Sequence, residues 1–183
     1  MTAPADIIAF WLRHGPKKWF GKDDAFDTEI AALFAVDHLA ASRGDYAVWE
    51  TTAQGSLALL LLLDQFPRNL YRGSAHSYAT DGLARFIAAK SLEAGFDGAV
   101  EPALRPFFYL PFEHSETLAD QERCMALCKA HCEATGDTES LRWAEEHHEI
   151  IARFGRFPHR NKALGRQTTP EEQAFLDNGG FKG

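Results

Sequence analysis

The sequence predicts an all-α protein of about seven to nine helices. Apolar residues recur at helical spacing along almost the whole chain. No run alternates with period two between turn residues, so no strand is expected. Glycine and proline fall where helices of ordinary length should stop. With 183 residues, 45% hydrophobic and 25% charged, the composition is that of a globular chain, and no break in it divides the sequence. A single helical domain over 1–183 is the expected organisation.

The first helix should start near Pro4 behind Thr2, gather Ile7, Ile8, Trp11 and Leu12 on one face, and stop at Gly15-Pro16. Lys17 to Lys22 then reads as a loop. A second helix begins at Asp23 or Asp24, buries Phe26, Ile30, Leu33 and Phe34, carries Asp27, Glu29 and Asp37 outward, and ends before Gly44. A third, from about Thr51 to Gln65, is apolar on nearly every side between Leu57 and Leu63, which makes it the central helix. Pro67 is expected to end it.

Ser74 is placed to cap a fourth helix that turns Tyr78, Leu83, Phe86, Ile87 and Leu92 inward and finishes at Gly95. Residues 96–102 read as linker, and Pro106 and Pro111 make 103–110 short or kinked. Ser115 or Thr117 caps a long helix that ends at Gly136. Thr138 caps the next, with Trp143, His147, Ile150 and Phe154 along one side before Gly155. Thr169-Pro170-Glu171-Glu172 supplies an N-cap, a first-turn proline and the glutamate of a capping box, so a short helix follows to about Asp177. The tail from Asn178 is expected to fray.

A formal charge of -7 and a pI near 5.6 leave no basic field for a phosphate backbone, so nucleic acid is not an expected partner. The longest apolar run, Leu57 to Leu63, is far short of the ~20 residues that span a bilayer. The N-terminus shows no basic stretch followed by an apolar one, so a cytoplasmic protein without a membrane partner is expected. Cys124, Cys128 and Cys132 recur every four residues near His131. Structural zinc favours close cysteine pairs, so these read as small buried hydrophobes on a helix seam rather than metal ligands. Phosphate-binding, dinucleotide and nucleophile-elbow signatures are absent, and neither a metal nor a cofactor is expected.

The features that could carry chemistry are two look-alike turns, Asp64-Gln-Phe-Pro-Arg-Asn69 and Gly155-Arg-Phe-Pro-His-Arg-Asn161. Proline restrains the phenylalanine before it, so Phe66 and Phe157 anchor the turns and aim the polar residues beyond. Arg68, Arg156 and Arg160 offer planar donor forks for carboxylate or phosphate. Asn69 and Asn161 both donate and accept, and His159 adds an imidazole. The alternative is architectural: arginine tying a helix end, asparagine satisfying turn backbone. Between the turns lies Pro111-Phe-Glu-His-Ser-Glu116. Glu113, His114 and Glu116 there suit general acid or base roles, or else favour a helix N-terminus. His147 is expected to face inward. If Asp64 approached it, a carboxylate-oriented imidazole would result.

Leu-Leu-Asp64-Gln-Phe-Pro-Arg-Asn69, Tyr109-Leu-Pro-Phe-Glu-His-Ser-Glu116, and the stretch from His147 through Phe-Gly-Arg-Phe-Pro-His-Arg-Asn161-x-x-Leu-Gly-Arg166 resemble a bacterial family, domain of unknown function number nine-two-four. The likeness extends to Trp19-Phe20 and Thr169-Pro-Glu-Glu172. It implies a tetratricopeptide-like fold of stacked helix hairpins rather than an irregular bundle, and it implies no activity. Two functions stay open. One is a small anionic or polar ligand held by Arg68, Asn69, Arg156, His159, Arg160 and Asn161, with Asp64, Glu113, His114, Glu116 and His147 completing a pocket and possible acid/base chemistry. The other is a non-catalytic scaffold for a peptide or protein partner in a helical groove.

Overall fold

The computed structural model describes residues 2–183, and among them there is no β-strand. The helices are α1 (Pro4–His14), α2 (Pro16–Trp19), α3 (Asp24–Ser42), α4 (Ala53–Leu60), α5 (Phe66–Leu70), α6 (Asp81–Glu93), α7 (Leu110–Glu113), α8 (Leu118–Thr135), α9 (Thr138–Phe154) and α10 (Pro170–Asp177). The all-α expectation holds. Contacts gather the chain into two compact units. The first runs to Arg72 and resumes over His76–Pro111; the second comprises Gly73–Ala75 and Phe112–Gly183.

In the first unit, Leu57 to Leu63 are all buried, so the helix apolar on every side does lie at the centre. An aromatic cluster surrounds its end. The rings of Trp11 and Phe34 lie 5.5 and 5.1 Å from that of Phe66, Phe107 packs on Trp11, and Phe10 packs on Phe34. At Gly55 an added Cβ would sit 2.1 Å from the Trp49 carbonyl oxygen, so the approach of the preceding 3-10 turn admits only glycine.

Pro67 does not end the central helix. Leu61–Gln65 widens into one π turn, with the Phe66 amide bonded to the Leu61 carbonyl five residues back, and α5 carries the helix on through Pro67 to Leu70. Proline has no N–H for the Leu62 or Leu63 carbonyl. Neighbouring side chains supply the missing donors. His38 Nδ1 donates to the Leu62 oxygen at 2.9 Å, and the Thr80 hydroxyl donates to the Leu63 oxygen at 2.5 Å. A carbonyl only accepts, so the His38 proton sits on Nδ1. Burial pushes the His38 pKa down, and the Leu62 bond opposes that shift.

Other departures are local. Pro16 starts a helical turn inside the expected loop. Leu33, at the edge of the packed face of α3, is 51% exposed, and Phe86 is 59% exposed because it lies on the flank of α6 opposite the packed side chains. Asp37 is buried, accepting from the Tyr46 hydroxyl at 2.5 Å and from Thr2 at 2.8 Å. Asp137, one residue before Thr138, is the N-cap of α9 and accepts from the Glu139 and Ser140 amides.

The second unit is built on the α8–α9 hairpin, joined by Gly136 at φ 80° in the left-handed region. Gln121, Cys124, Cys128 and His131 of α8 are buried, as are Ala144, His147, Ile150 and Ile151 of α9. The segment from Asn178 does not fray. Phe181 packs with Phe154 and Phe175 against Ile150, Ile151 and Phe157. Burial of one aromatic ring is worth roughly 1.5–3 kcal/mol, enough to hold a short irregular segment down.

The π turn makes a specific demand on Thr80. Thr80→Val keeps the shape but strands a buried carbonyl, and should cost about 1–3 kcal/mol in chemical denaturation. Thr80→Ser, which keeps the hydroxyl, should recover most of the loss. Equal stability of Thr80→Val and the parent would refute this account of the π turn.

Candidate functional site

The first Phe-Pro segment lies inside the helix that the π turn extends, and each polar group on it has partners within its own unit. Arg68 donates to Asp81 through both terminal nitrogens, at 3.0 and 3.2 Å. It also bonds the Asp64 carbonyl oxygen, and lies 3.5 Å from the Asp64 carboxylate. The Gln65 amide donates to Asp64 at 2.6 Å, and Asp64 itself is 1% exposed. Asn69 donates to Asp27 at 2.7 Å, and Arg72 grips the same carboxylate at 2.9 and 3.0 Å. Buried charge is tolerable only when paired and hydrogen-bonded, and here Asp64 and Asp81 are both paired with Arg68 and hydrogen-bonded.

The second segment has the same residue types on a different backbone. Gly155 ends α9 at φ 67°, Phe157 is extended, and Pro158–Arg160 forms a single 3-10 turn. Phe157 is fully buried and Arg160 lies over its ring at 4.4 Å, itself only 6% exposed. Two glutamates organise this turn. Glu116 accepts from the Phe157 amide at 2.8 Å and from Arg166 at 2.6 and 3.0 Å. Arg166 donates onward to the Asn161 side-chain oxygen and the Phe157 carbonyl. Glu172 accepts from Arg156 at 2.6 and 2.9 Å, from Asn161 at 3.1 Å, and from the Thr169 amide at 2.8 Å.

Charge-assisted bonds of this kind reshape acidity. Bonds from Arg156, which outweigh the opposing effect of burial, hold Glu172 down from 4.5 to about 2, with help from the Thr169 amide. Burial pushes the Glu116 carboxylate up, but bonds from Arg166 and the Phe157 amide prevail and leave it below the usual range. Both carboxylates therefore stay ionised at neutral pH and keep their arginines engaged.

The acid/base candidates occupy another part of this unit. Gln121 donates from one amide to the Glu113 and Ser115 carbonyls at 2.6 and 2.7 Å, which fixes the bend that carries Glu113 and His114. His147 is buried, and its Nδ1 donates to the Trp143 carbonyl at 2.9 Å. A Glu113 oxygen lies 3.6 Å from that same nitrogen, too far for a hydrogen bond. Cys124 is 4.0 Å from the other Glu113 oxygen and 3.8 Å from Cys128. Its thiol is raised well above the usual range, first by the bond with Cys128 and then by burial and the Glu113 charge. Among the described residues no group of three or more His, Cys, Asp or Glu side chains could hold a metal ion. The ring of His114 lies 6.5 Å from that of His147, while Phe157, Phe181 and His159 complete the surrounding aromatic wall.

One open feature borders the second turn. A cleft of about 590 Å³ is lined by Arg156, Arg166, Gln167, Thr168, Thr169 and Pro170. Of the binding residues expected from the sequence, Arg156 lines it. Glu113, His114 and His147 do not. Sequence reasoning missed Asp27, Asp81 and Gln167, whose roles depend on partners 11 to 45 residues away. It read Glu172 only as half of a capping box. The capping box is present, and the same carboxylate also receives Arg156 and Asn161.

A family model described as "Bacterial protein of unknown function (DUF924)" matches residues 7–180, so this chain belongs to that family. A solved protein of unknown function from Agrobacterium tumefaciens is similar over 96% of this chain and 97% of its own, at 51% identity and a TM-score of 0.91. No curated protein matches. No helix among the described residues is long and apolar enough to cross a membrane.

The Glu172 pKa has a definite consequence in acid. A carboxylate held at about 2 when folded and near 4.5 otherwise stabilises the fold fully above the higher value, and loses that contribution as pH falls toward 2. The stability advantage of the parent over Glu172→Gln should therefore be constant near neutrality and shrink below pH 4.5 in urea titrations. An advantage that grows on acidification would contradict the pairing.

Proposed function

We propose that this family member binds a small anionic or polar molecule, without turning it over, in the cleft beside the second Phe-Pro turn. The observation that carries the reading is the lining: guanidinium edges of Arg156 and Arg166 with the polar run Gln167 to Thr169 in one open cleft. Arg156 spends Nε and Nη2 on Glu172 and the Gln167 carbonyl, and among the described residues its Nη1 makes no hydrogen bond. The Thr168 hydroxyl accepts from Asn161, which leaves its proton to donate. Each arginine is matched by one carboxylate, so the cleft suits a small ligand with a few acceptor oxygens rather than a polyanion.

Binding is favoured over catalysis because the imidazole and carboxylate best arranged for proton transfer, His147 and Glu113, are buried in the α8–α9 seam and do not line the cleft. A second reading, the non-catalytic scaffold for a peptide or protein, draws support from the burial and mutual satisfaction of Asp64, Arg68, Asn69 and Asn161, which fits an architectural role for both motifs.

Thermal-shift assays with inorganic phosphate and a panel of small carboxylates test the cleft. At a hundredfold excess over Kd, binding should stabilise a chain of this size by roughly 5–10 °C. Thr168→Val and Gln167→Ala leave the Glu172 pairs in place and should lose most of that shift. Equal shifts in the parent and both variants, or none for any probe, would leave the scaffold reading in possession.

A further inference from the structure

Beyond the end of α10, residues 179–183 run without regular secondary structure over the aromatic rings of the second unit. Gly179 turns the chain at φ 86°, in the left-handed region, and the Gly180 amide donates to the Phe175 carbonyl at 2.9 Å. A Cβ added at Gly180 would sit 2.6 Å from the Phe175 ring, and one at Gly183 would sit 2.9 Å from the His159 ring. The strap therefore runs close against both rings. Among the described residues its one hydrogen bond is that from Gly180. Its only large apolar anchor is Phe181.

Phe181 sits in a cup of other rings. His147 and Phe157 lie 5.4 Å apart, and Phe157 and His159 lie 5.6 Å apart. Phe181 meets His147 at 4.6 Å and His159 at 5.1 Å, both edge to face, packs on Phe157, and has Trp143 at 6.1 Å. Contacts of this kind suit any flat aromatic ring, because all share a positive edge and a negative face. Two of the walls are imidazoles, which stack and also donate or accept a hydrogen bond. A phenyl ring engages only the first of these capacities. We infer that the cup is a binding site for a planar aromatic molecule with a polar substituent, a phenol or an indole in kind, and that the strap is its built-in competitor. The site is separate from the cleft beside Arg156, which none of these rings lines.

One partly buried ring and one backbone bond hold the strap loosely, so its withdrawn state is populated at on the order of 1–10%. A ligand that enters only when Phe181 leaves binds the parent about ten- to a hundredfold more weakly than it binds a chain without the plug.

Phenol and indole, with cyclohexanol as the non-aromatic match, test the site by calorimetry. The NMR signals of the Phe181 ring, displaced from ordinary phenylalanine values by the surrounding rings, give a second readout. Phe181→Ala, and separately the removal of residues 181–183, should raise affinity for both aromatic probes about ten- to a hundredfold over the parent. In the parent, saturation with either probe should return the Phe181 signals to those of a mobile chain. Cyclohexanol should bind Phe181→Ala about fivefold more weakly than phenol does. Circular dichroism checks that both variants keep their helices. The inference is overturned by absence of aromatic binding in all three chains, or by variants that bind no tighter than the parent. Binding that leaves the Phe181 signals unmoved, or equal affinity for cyclohexanol and phenol, overturns it as well.

Discussion

A proline in the middle of the central helix removes a backbone donor at a place where no water can replace it, and the first unit is arranged around that deficit. The helix opens by one residue into a π turn, and the exposed lone pairs of Leu62 and Leu63 are claimed by His38 and Thr80. Those two bonds commit α3 and the start of α6 to the central helix at fixed heights. They also set the rotation of α5, and so bring Arg68 to Asp81 and Asn69 to Asp27. A buried ring, Phe66, fills the bend. The cost of one missing N–H is met by side chains from two other helices, which is why so many buried polar residues gather here.

The second unit solves the opposite problem. Its turn is irregular, so the amides and carbonyls that a helix would have paired must be satisfied by side chains. Glu116 and Arg166 take the Phe157 amide and carbonyl, while Glu172 holds Arg156, Asn161 and its own helix cap. A carboxylate with an acidity near 2 is the electrostatic signature of that convergence. The guanidinium groups that would invite an anion are thus first of all fasteners. What stays open to solvent beside them is the outer edge of Arg156 and the polar run Gln167 to Thr169 that line the cleft.

The two look-alike segments show how the same residues serve different backbones. Phe-Pro-Arg-Asn continues a helix where carbonyls can be capped from neighbouring elements, and Phe-Pro-His-Arg-Asn breaks one where Gly155 has already taken a left-handed conformation. The proline alone does not decide. Its neighbours in space do, because they determine whether the carbonyls it abandons are solvated, capped or lost.

By itself the sequence determined the fold class, the central place of Leu57 to Leu63, the α8–α9 hairpin bounded by Gly136 and Gly155, the capping box at Thr169, and the inward-facing His147. Each of these depends on a period or on a conformation available mainly to one residue type, and both are local properties. Tertiary structure alone decided that Pro67 lies within a helix and that Asp37, Asp27 and Asp81 serve as buried or paired acceptors. It likewise made Glu172 the partner of Arg156, and put Phe181 into the core rather than a frayed end. The physical reason is common to all of them: a polar group's role is set by which donors and acceptors it meets after chain segments far apart in sequence have come together, and no spacing along the chain encodes that meeting.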